Sequence, residues 1–292
     1  MPNPFAGTMS VALDWIQALI LALVGFVTGI TAGFFGIGGG EIVVPAAIFA
    51  GFTYSHAVGI SLSQMLCSSL IGSIINYKKG LLDLKEGSFA AIGGLVGAIL
   101  GSFLLKFIDD RILMGVFVVV VCYTFIKYAF SRPSAHSNHY TDAHFQLHAQ
   151  PITPVANSTR WEWGVDKKHA LLALAGLITG IFSIPLGMGG GILMVPFLGY
   201  FLKYSTQKIV PLGLFFVIFS SLSGVISLYH SGVLDDRALQ AGSITGLGAL
   251  LGVGIGIKLI LLANERIHKV LLLCIYALSI MATLFQLIKA WV

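Results

Sequence analysis

Long stretches without charge limit what this chain can fold into. Between Asp14 and Lys78 the only Asp, Glu, Lys or Arg is Glu41, and residues 170–202, 209–234 and 238–257 contain none of these four. Roughly 20 apolar residues carry a helix across the hydrocarbon of a bilayer, and these runs reach that length. With 57% hydrophobic and 10% charged residues, the chain lacks the roughly 25% charge that coats a soluble domain. Backbone groups in lipid must be paired within their own segment, which leaves helices or a closed barrel, and no period-two alternation favours a barrel. The predicted fold class is an all-α polytopic membrane protein. The net charge of +5 is scattered over loops without a basic stripe, so the lipid bilayer is an expected partner and nucleic acid is not. Cys67, Cys122 and Cys274 lie far apart in apolar runs and are expected to be buried, structural thiols. Their spacing gives neither a disulfide framework nor a metal site, and no cofactor is expected. The N-terminus has no basic region or clear cleavage site, so the first apolar run is read as part of the mature fold.

The chain also repeats itself. Residues 25–45 read GFVTGITAGFFGIGGGEIVVP and residues 176–196 read GLITGIFSIPLGMGGGILMVP, identical at ten of 21 aligned positions. One residue of shift extends the match. Ser68 and Ser69 pair with Ser220 and Ser221, and Gly80 and Asp83 with Gly232 and Asp235. Low complexity does not produce T-G-I, G-x-G-G-G and V-P in register, so we read an internal duplication. Each half holds four apolar blocks: 15–51, 57–77, 87–105 and 112–130, then 170–202, 209–229, 238–257 and 270–288. The predicted organisation is a first membrane repeat at 1–130, a polar linker at 131–168 and a second repeat at 169–292. The linker histidines His136, His139, His144 and His148 have spacings a metal could use. The surrounding sequence reads as a solvated connection.

The first block of each half is too long for one crossing and short for two. Its glycines, with Pro185 in the second half, predict a break in mid-block. Pro45, Pro185 and Pro196 are taken as helix-break positions, although Pro45 and Pro196 would also suit the first turns of a return helix. The block is either a single broken crossing or a re-entrant hairpin. The positive-inside rule separates the two. Eight crossings divide the 17 Lys and Arg residues ten to seven, whereas re-entrant blocks divide them 13 to four. The expectation is therefore two inverted repeats, each a re-entrant or broken glycine-rich hairpin plus three transmembrane helices. Both termini would lie outside and the linker in the cytoplasm.

A helix that starts after each glycine cluster has first-turn amides without intrahelical partners and a positive dipole end. Two such ends facing one cavity make an anion site built of neutral backbone. The candidate substrate-binding residues are Gly36, Gly38, Gly39 and Gly40, then Gly187, Gly189, Gly190 and Gly191, with Ser61, Gln64, Ser68 and Ser220 as side-chain donors. The competing reading is that glycines serve helix packing and serines join helices. Glu41 has Ile192 as its repeat equivalent. It is read either as a carrier of a coupling proton or as an acid stabilising its own helix terminus.

The motifs GIGGGEIVVP and GMGGGILMVP, one per half, together with N-x-x-x-G-x-x-D at 76–83, resemble the TauE/SafE sulfite-exporter-like permeases. In the second half Leu228 stands where the first has Asn76. The resemblance implies an anion permease of the bacterial cell (inner) membrane. Its implied substrates are small sulfur-containing anions such as sulfite, sulfoacetate or thiosulfate. The leading functional expectation is a secondary transporter working by alternating access, with protons as a further partner. An anion channel and a non-transporting assembly factor are the alternatives. An enzyme is not expected: Ser220 or Ser223 with His230 would be the nearest approach to an intramembrane hydrolase, and neither G-x-S-x-G nor H-E-x-x-H occurs.

Overall fold

The computed structural model describes residues 15–35, 38–130, 167–190, 206–259 and 265–291, together with 193–194, 197–198, 202 and 204. Among them the chain is helical: α1 Trp15–Phe35, α2 Gly40–Phe49, α3 Tyr54–Lys78, α4 Leu84–Phe107, α5 Asp110–Phe130, α6 Lys167–Leu186, α7 Thr206–His230, α8 Asp236–Leu259 and α9 Glu265–Trp291. Six of these helices are long and apolar enough to cross a membrane. The chain is a multi-pass membrane protein. Helix α6 starts two residues inside the segment read as a linker. The rest of that segment, with its histidines, lies outside the described residues.

Polar capping sets the helix ends beyond the apolar blocks. Thr53 accepts from the His56 amide at 3.3 Å and starts α3. Asp83 accepts from the amides of Lys85 and Glu86 at 3.0 and 3.2 Å and starts α4. Its repeat partner Asp235 accepts from the Ala238 amide at 2.7 Å. A side-chain oxygen at this position satisfies an amide that the helix leaves without a partner. The preceding turn is also duplicated. Gly80 and Gly232 sit at φ 68° and 73°, a left-handed conformation that glycine adopts without strain. Gly80 N–H donates to Tyr77 O and Leu81 N–H to Asn76 O; Gly232 N–H donates to Tyr229 O and Val233 N–H to Leu228 O. The turn uses only the carbonyl of residue 76 or 228, so the change from asparagine to leucine leaves it intact.

Glycines fix how the helices pack. A Cβ built on Gly25, Gly29 or Gly33 of α1 would stand 2.0–2.3 Å from the carbonyl oxygens of Thr245, Ala249 and Val253 on α8. The pair α4 and α6 shows the same contact: a Cβ on Gly93, Gly97 or Gly101 of α4 would strike the carbonyls of Ala173, Leu177 and Ile181 on α6 at 1.9–2.6 Å. Close backbone approach replaces the hydrophobic effect, which is absent between helices in lipid. The packing reading of glycine is correct for these helical positions.

The same contacts give helix directions. Residue numbers rise together along α1 and α8, and along α4 and α6, so each pair is parallel. Gly242 and Gly246 meet Ser63 and Cys67 in rising order, so α3 is parallel to α8. Gly87 meets Phe215 and Ser223 bonds Leu95 O, so α7 is parallel to α4. Gly72 meets Leu214 while Gly224 meets Leu62, so α3 and its repeat counterpart α7 are antiparallel. Helices α1 and α3 thus run the same way, and residues 36–53 must return to the end where α1 began. Arg237, at the start of α8, marks that end. Its guanidinium lies 3.2 Å from Gln17 Oε1 and 5.6 Å from the Phe52 ring. At the opposite end Lys168 Nζ lies 2.6 Å from Glu86 Oε1 and 5.3 Å from the Tyr204 ring, so the block that starts at α6 also returns to its own side.

Large apolar side chains face outward, as a lipid solvent allows. Trp15, Ile92, Leu251 and Phe285 are exposed, while Ser61, Ser68 and Ser69 of α3 and Ser220 and Ser221 of α7 are buried. This corrects the cysteine expectation. Cys67 and Cys122 are half-buried, and Cys274 is exposed on α9, because a small apolar residue is as compatible with lipid as with the core.

Candidate functional site

The two glycine clusters meet near mid-depth. Helix α1 ends at Phe35; Gly38 and Gly39 follow at φ 99° and 94°, and α2 starts at Gly40. A Cβ on Gly39 would lie 3.0 Å from Thr28 O, so the tip folds back to the middle of α1. In the second half α6 runs through Pro185 to Leu186, and Gly187, Gly189 and Gly190 take φ 66°, 61° and 88°. Side chains with a Cβ rarely adopt these angles. The tips touch: a Cβ on Gly40 would stand 2.2 Å from the carbonyl oxygen of Gly187. Gly36, Gly191 and Pro196 lie outside the described residues.

Pro45 is not at the break. It is inside α2, in a helix of ten residues that starts at Gly40. The break comes from the positive-φ glycines before it, and the effect of Pro45 is to leave the Glu41 carbonyl without the amide four residues on. Pro185 sits in the last turn of α6, two residues before the first positive φ of the second tip.

The predicted donors are brought to the tips, with their hydroxyls directed at protein carbonyls. Ser61 Oγ donates to Gly187 O at 2.7 Å and Ser220 Oγ to Gly189 O at 3.2 Å. Ser68 Oγ turns to Met65 O in its own helix at 3.2 Å. Carbonyls of a left-handed stretch have no helical donor, and a buried one left bare costs about 1–3 kcal/mol. In this conformation Ser61 and Ser220 satisfy that requirement.

Gln64 differs. It is fully buried, and neither its amide nitrogen nor its amide oxygen has a partner among the described residues. Glu41 is also buried. Its carboxylate is bonded to its own backbone amide, as suits the first turn of a helix, and its Oε1 has no partner.

Three residues that the sequence did not single out complete the site. Met65 is fully buried one turn after Ser61, and its thioether lies against Gly38, Gly40 and Gly189. Phe216 covers Gly190, as a Cβ there would lie 2.3 Å from its ring. Tyr54 donates from its hydroxyl to Pro185 O at 3.1 Å, tying α3 to the second tip. Tyr54 also lines an open cleft of about 350 Å³ with Phe52, Thr53, Asp110, Arg111 and Lys289. The available signal was helical spacing: Ser61, Met65 and Ser68 share one face of α3.

The family model described as "Sulfite exporter TauE/SafE" matches residues 21–283. The "Probable membrane transporter protein YunE" of Bacillus subtilis is 25% identical over 272 residues, covering 88% of this chain and 95% of that protein. A "Probable membrane transporter protein" of Methanocaldococcus jannaschii is 30% identical over 216 residues, 71% of each chain. The "Probable membrane transporter protein MamO" of Paramagnetospirillum magneticum is 26% identical over 281 residues, 90% of this chain and 43% of that longer protein. No solved structure matches. The matched region contains both glycine tips and every described helix that packs around them, so the chain belongs to the TauE/SafE sulfite exporter family of membrane transporters.

Proposed function

We propose that this protein is a secondary carrier of a small sulfur-containing oxyanion or organosulfonate, such as sulfite, sulfoacetate or thiosulfate. Its substrate seat lies between the two glycine tips. One observation carries the reading: re-entrant segments from opposite ends meet at Gly40 and Gly187, at mid-depth, on the serine face of α3. Irregular backbone is costly inside a membrane unless it serves a polar pathway. Broken helices from opposing repeats offer an anion amides and dipoles without a fixed counter-charge. The opposite directions of α3 and α7 support reading the halves as inverted repeats, and the 13-to-four division of Lys and Arg supports a linker in the cytoplasm of a bacterial inner membrane. Alternating access then amounts to one tip yielding while the other holds. Glu41 is proposed as the site of proton coupling, because a lone ionised carboxylate at this depth is expensive.

The test is uptake of labelled sulfite, thiosulfate and sulfoacetate by reconstituted protein. Saturable, anion-specific flux that Gly39→Leu abolishes supports the carrier. Flux that rises linearly with concentration would identify a channel. Undiminished flux in Gly39→Leu would remove the tips from the pathway.

A further inference from the structure

We propose that Met65 is a movable plug between the two tips and sets the size of anion that passes; this rests on the carrier reading above. One side chain touches both halves of the duplicated site. A Cβ on Gly38 would lie 3.0 Å from Met65 Sδ, on Gly40 2.2 Å from its Cε, and on Gly189 2.2 Å from Sδ. The thioether therefore occupies the junction where the proposed seat lies, and it is fully buried there.

A second observation concerns the residue that precedes Met65 on α3. Gln64, the neighbouring residue on α3, keeps both polar atoms of a fully buried amide unpartnered. A buried primary amide in that condition is strongly disfavoured unless another state satisfies it. An oxyanion that takes the place of the thioether supplies the missing acceptors for the amide N–H groups. With the anion gone, Met65 returns and excludes water and stray ions from the junction, as hydrophobic constrictions do.

Methionine is suited to this role. It is unbranched, with several rotatable bonds and a polarizable sulfur, so it fills an irregular gap and leaves it without moving the backbone. Its repeat counterpart, by the alignment that pairs Ser68 with Ser220, is Val217. That side chain is short and stiff at χ1, and its Cγ1 would lie 3.4 Å from a Cβ on Gly189. The plug is thus one-sided, on the helix that also carries Ser61 and Gln64.

Two measurements on the reconstituted full chain test this. The first needs no transport. Ser61→Cys is treated with a small anionic thiosulfonate from the aqueous side, and the background from the native cysteines is subtracted. Adding Met65→Ala is expected to speed labelling about tenfold or more, while Met65→Leu, of similar volume, keeps the site sealed. An unchanged rate in Met65→Ala overturns the plug. The second compares uptake of sulfoacetate with that of thiosulfate. Met65→Ala should raise the ratio in favour of the longer anion about fivefold, and Met65→Phe should stop both. An unchanged ratio in Met65→Ala overturns the size role. Native protein that moves neither anion, with labelling still accelerated, would reject the carrier reading while keeping the plug. Normal flux with unchanged labelling and ratio would reject the plug and keep the carrier.

Discussion

The two glycine tips lie in segments identical at ten of 21 aligned positions but differ in what holds them. Both break their helix with glycines at positive φ: Gly38 and Gly39 in the first, and Gly187, Gly189 and Gly190 in the second. The second tip is tied down. Tyr54, Ser61 and Ser220 donate to the carbonyls of Pro185, Gly187 and Gly189. Two of those three hydroxyls come from α3, which belongs to the first half. The first tip leads into a helix whose N-cap, Gly39, has no side-chain cap, and carries Glu41 where the second has Ile192. The two segments share the backbone device; among the described residues the side-chain anchors fall on the second tip, and the charge of Glu41 falls on the first. That division suits a carrier in which one tip is a fixed wall and the other the responsive element.

The harshest break of this comparison is Gly40→Ala. Its Cβ would meet the Gly187 carbonyl, a backbone atom that cannot turn aside, and overpacking of this kind costs about 1–3 kcal/mol or more. Loss of transport with a clear fall in melting temperature is expected. Gly189→Ala meets the sulfur of a flexible methionine instead, with about 1–2 kcal/mol for its left-handed backbone. It should be the milder of the two in a thermal-melt assay; the reverse order would mean that the tips are not held as described. Next comes Glu41→Gln. If charge belongs to the first tip alone, pH-driven accumulation should fall about tenfold or more while substrate exchange persists, a split that reports lost coupling and retained binding. Full accumulation in the variant would make Glu41 a helix-terminal acid and nothing else.

How much of this the sequence disclosed follows from the range of the interactions. Glycine, proline and charge-free runs report local chemistry, so the membrane-spanning helices and the breaks at the two glycine clusters were legible. Helix starts were displaced by two to five residues wherever a polar first turn preceded the apolar run, as at Thr53 and Asp83. Contacts between distant segments were not legible. Ser61 was read as a hydrogen-bond donor, and nothing local reveals that its hydroxyl reaches a carbonyl 126 residues away. Met65 reads as one more apolar residue until Gly38, Gly40 and Gly189 are brought around it. Lys168 and Lys208 appeared only as loop charges, because nothing local reveals that both reach Glu86.

That ionic cluster carries the comparison to the mouths of the two hairpins. At the α4, α6 and α7 end, Glu86 is nearly buried between Lys168 and Lys208, at 2.6 and 2.9 Å, and both lysines lie over the Tyr204 ring. At the other end, among the described residues, the corresponding contact is the bond from Arg237 to Gln17. Removing a buried acid leaves its cations unpaired, but these lysine side chains are 44% and 35% exposed, so water screens much of the loss. Glu86→Gln should therefore lower stability by about 1–2 kcal/mol, less so in high salt. Tyr54→Phe should follow at about 1 kcal/mol, the worth of one neutral hydrogen bond, read as an earlier melt with the helical signal intact.

The smallest effect belongs to Arg237→Gln. Its partner is an uncharged amide, the bond is 3.2 Å long, and the guanidinium otherwise rests on Phe52. A change within about 0.5 kcal/mol is expected, as for a contact that solvent can replace. The ranking is informative because both ends close hairpins built on the same plan. If Arg237→Gln proves as damaging as Glu86→Gln, the two mouths are equally latched, and the asymmetry described for the tips does not extend to the ends of the molecule. If it is near neutral, the hairpin formed by α1 and α2 is the more weakly closed of the two, and it is the one that carries Glu41.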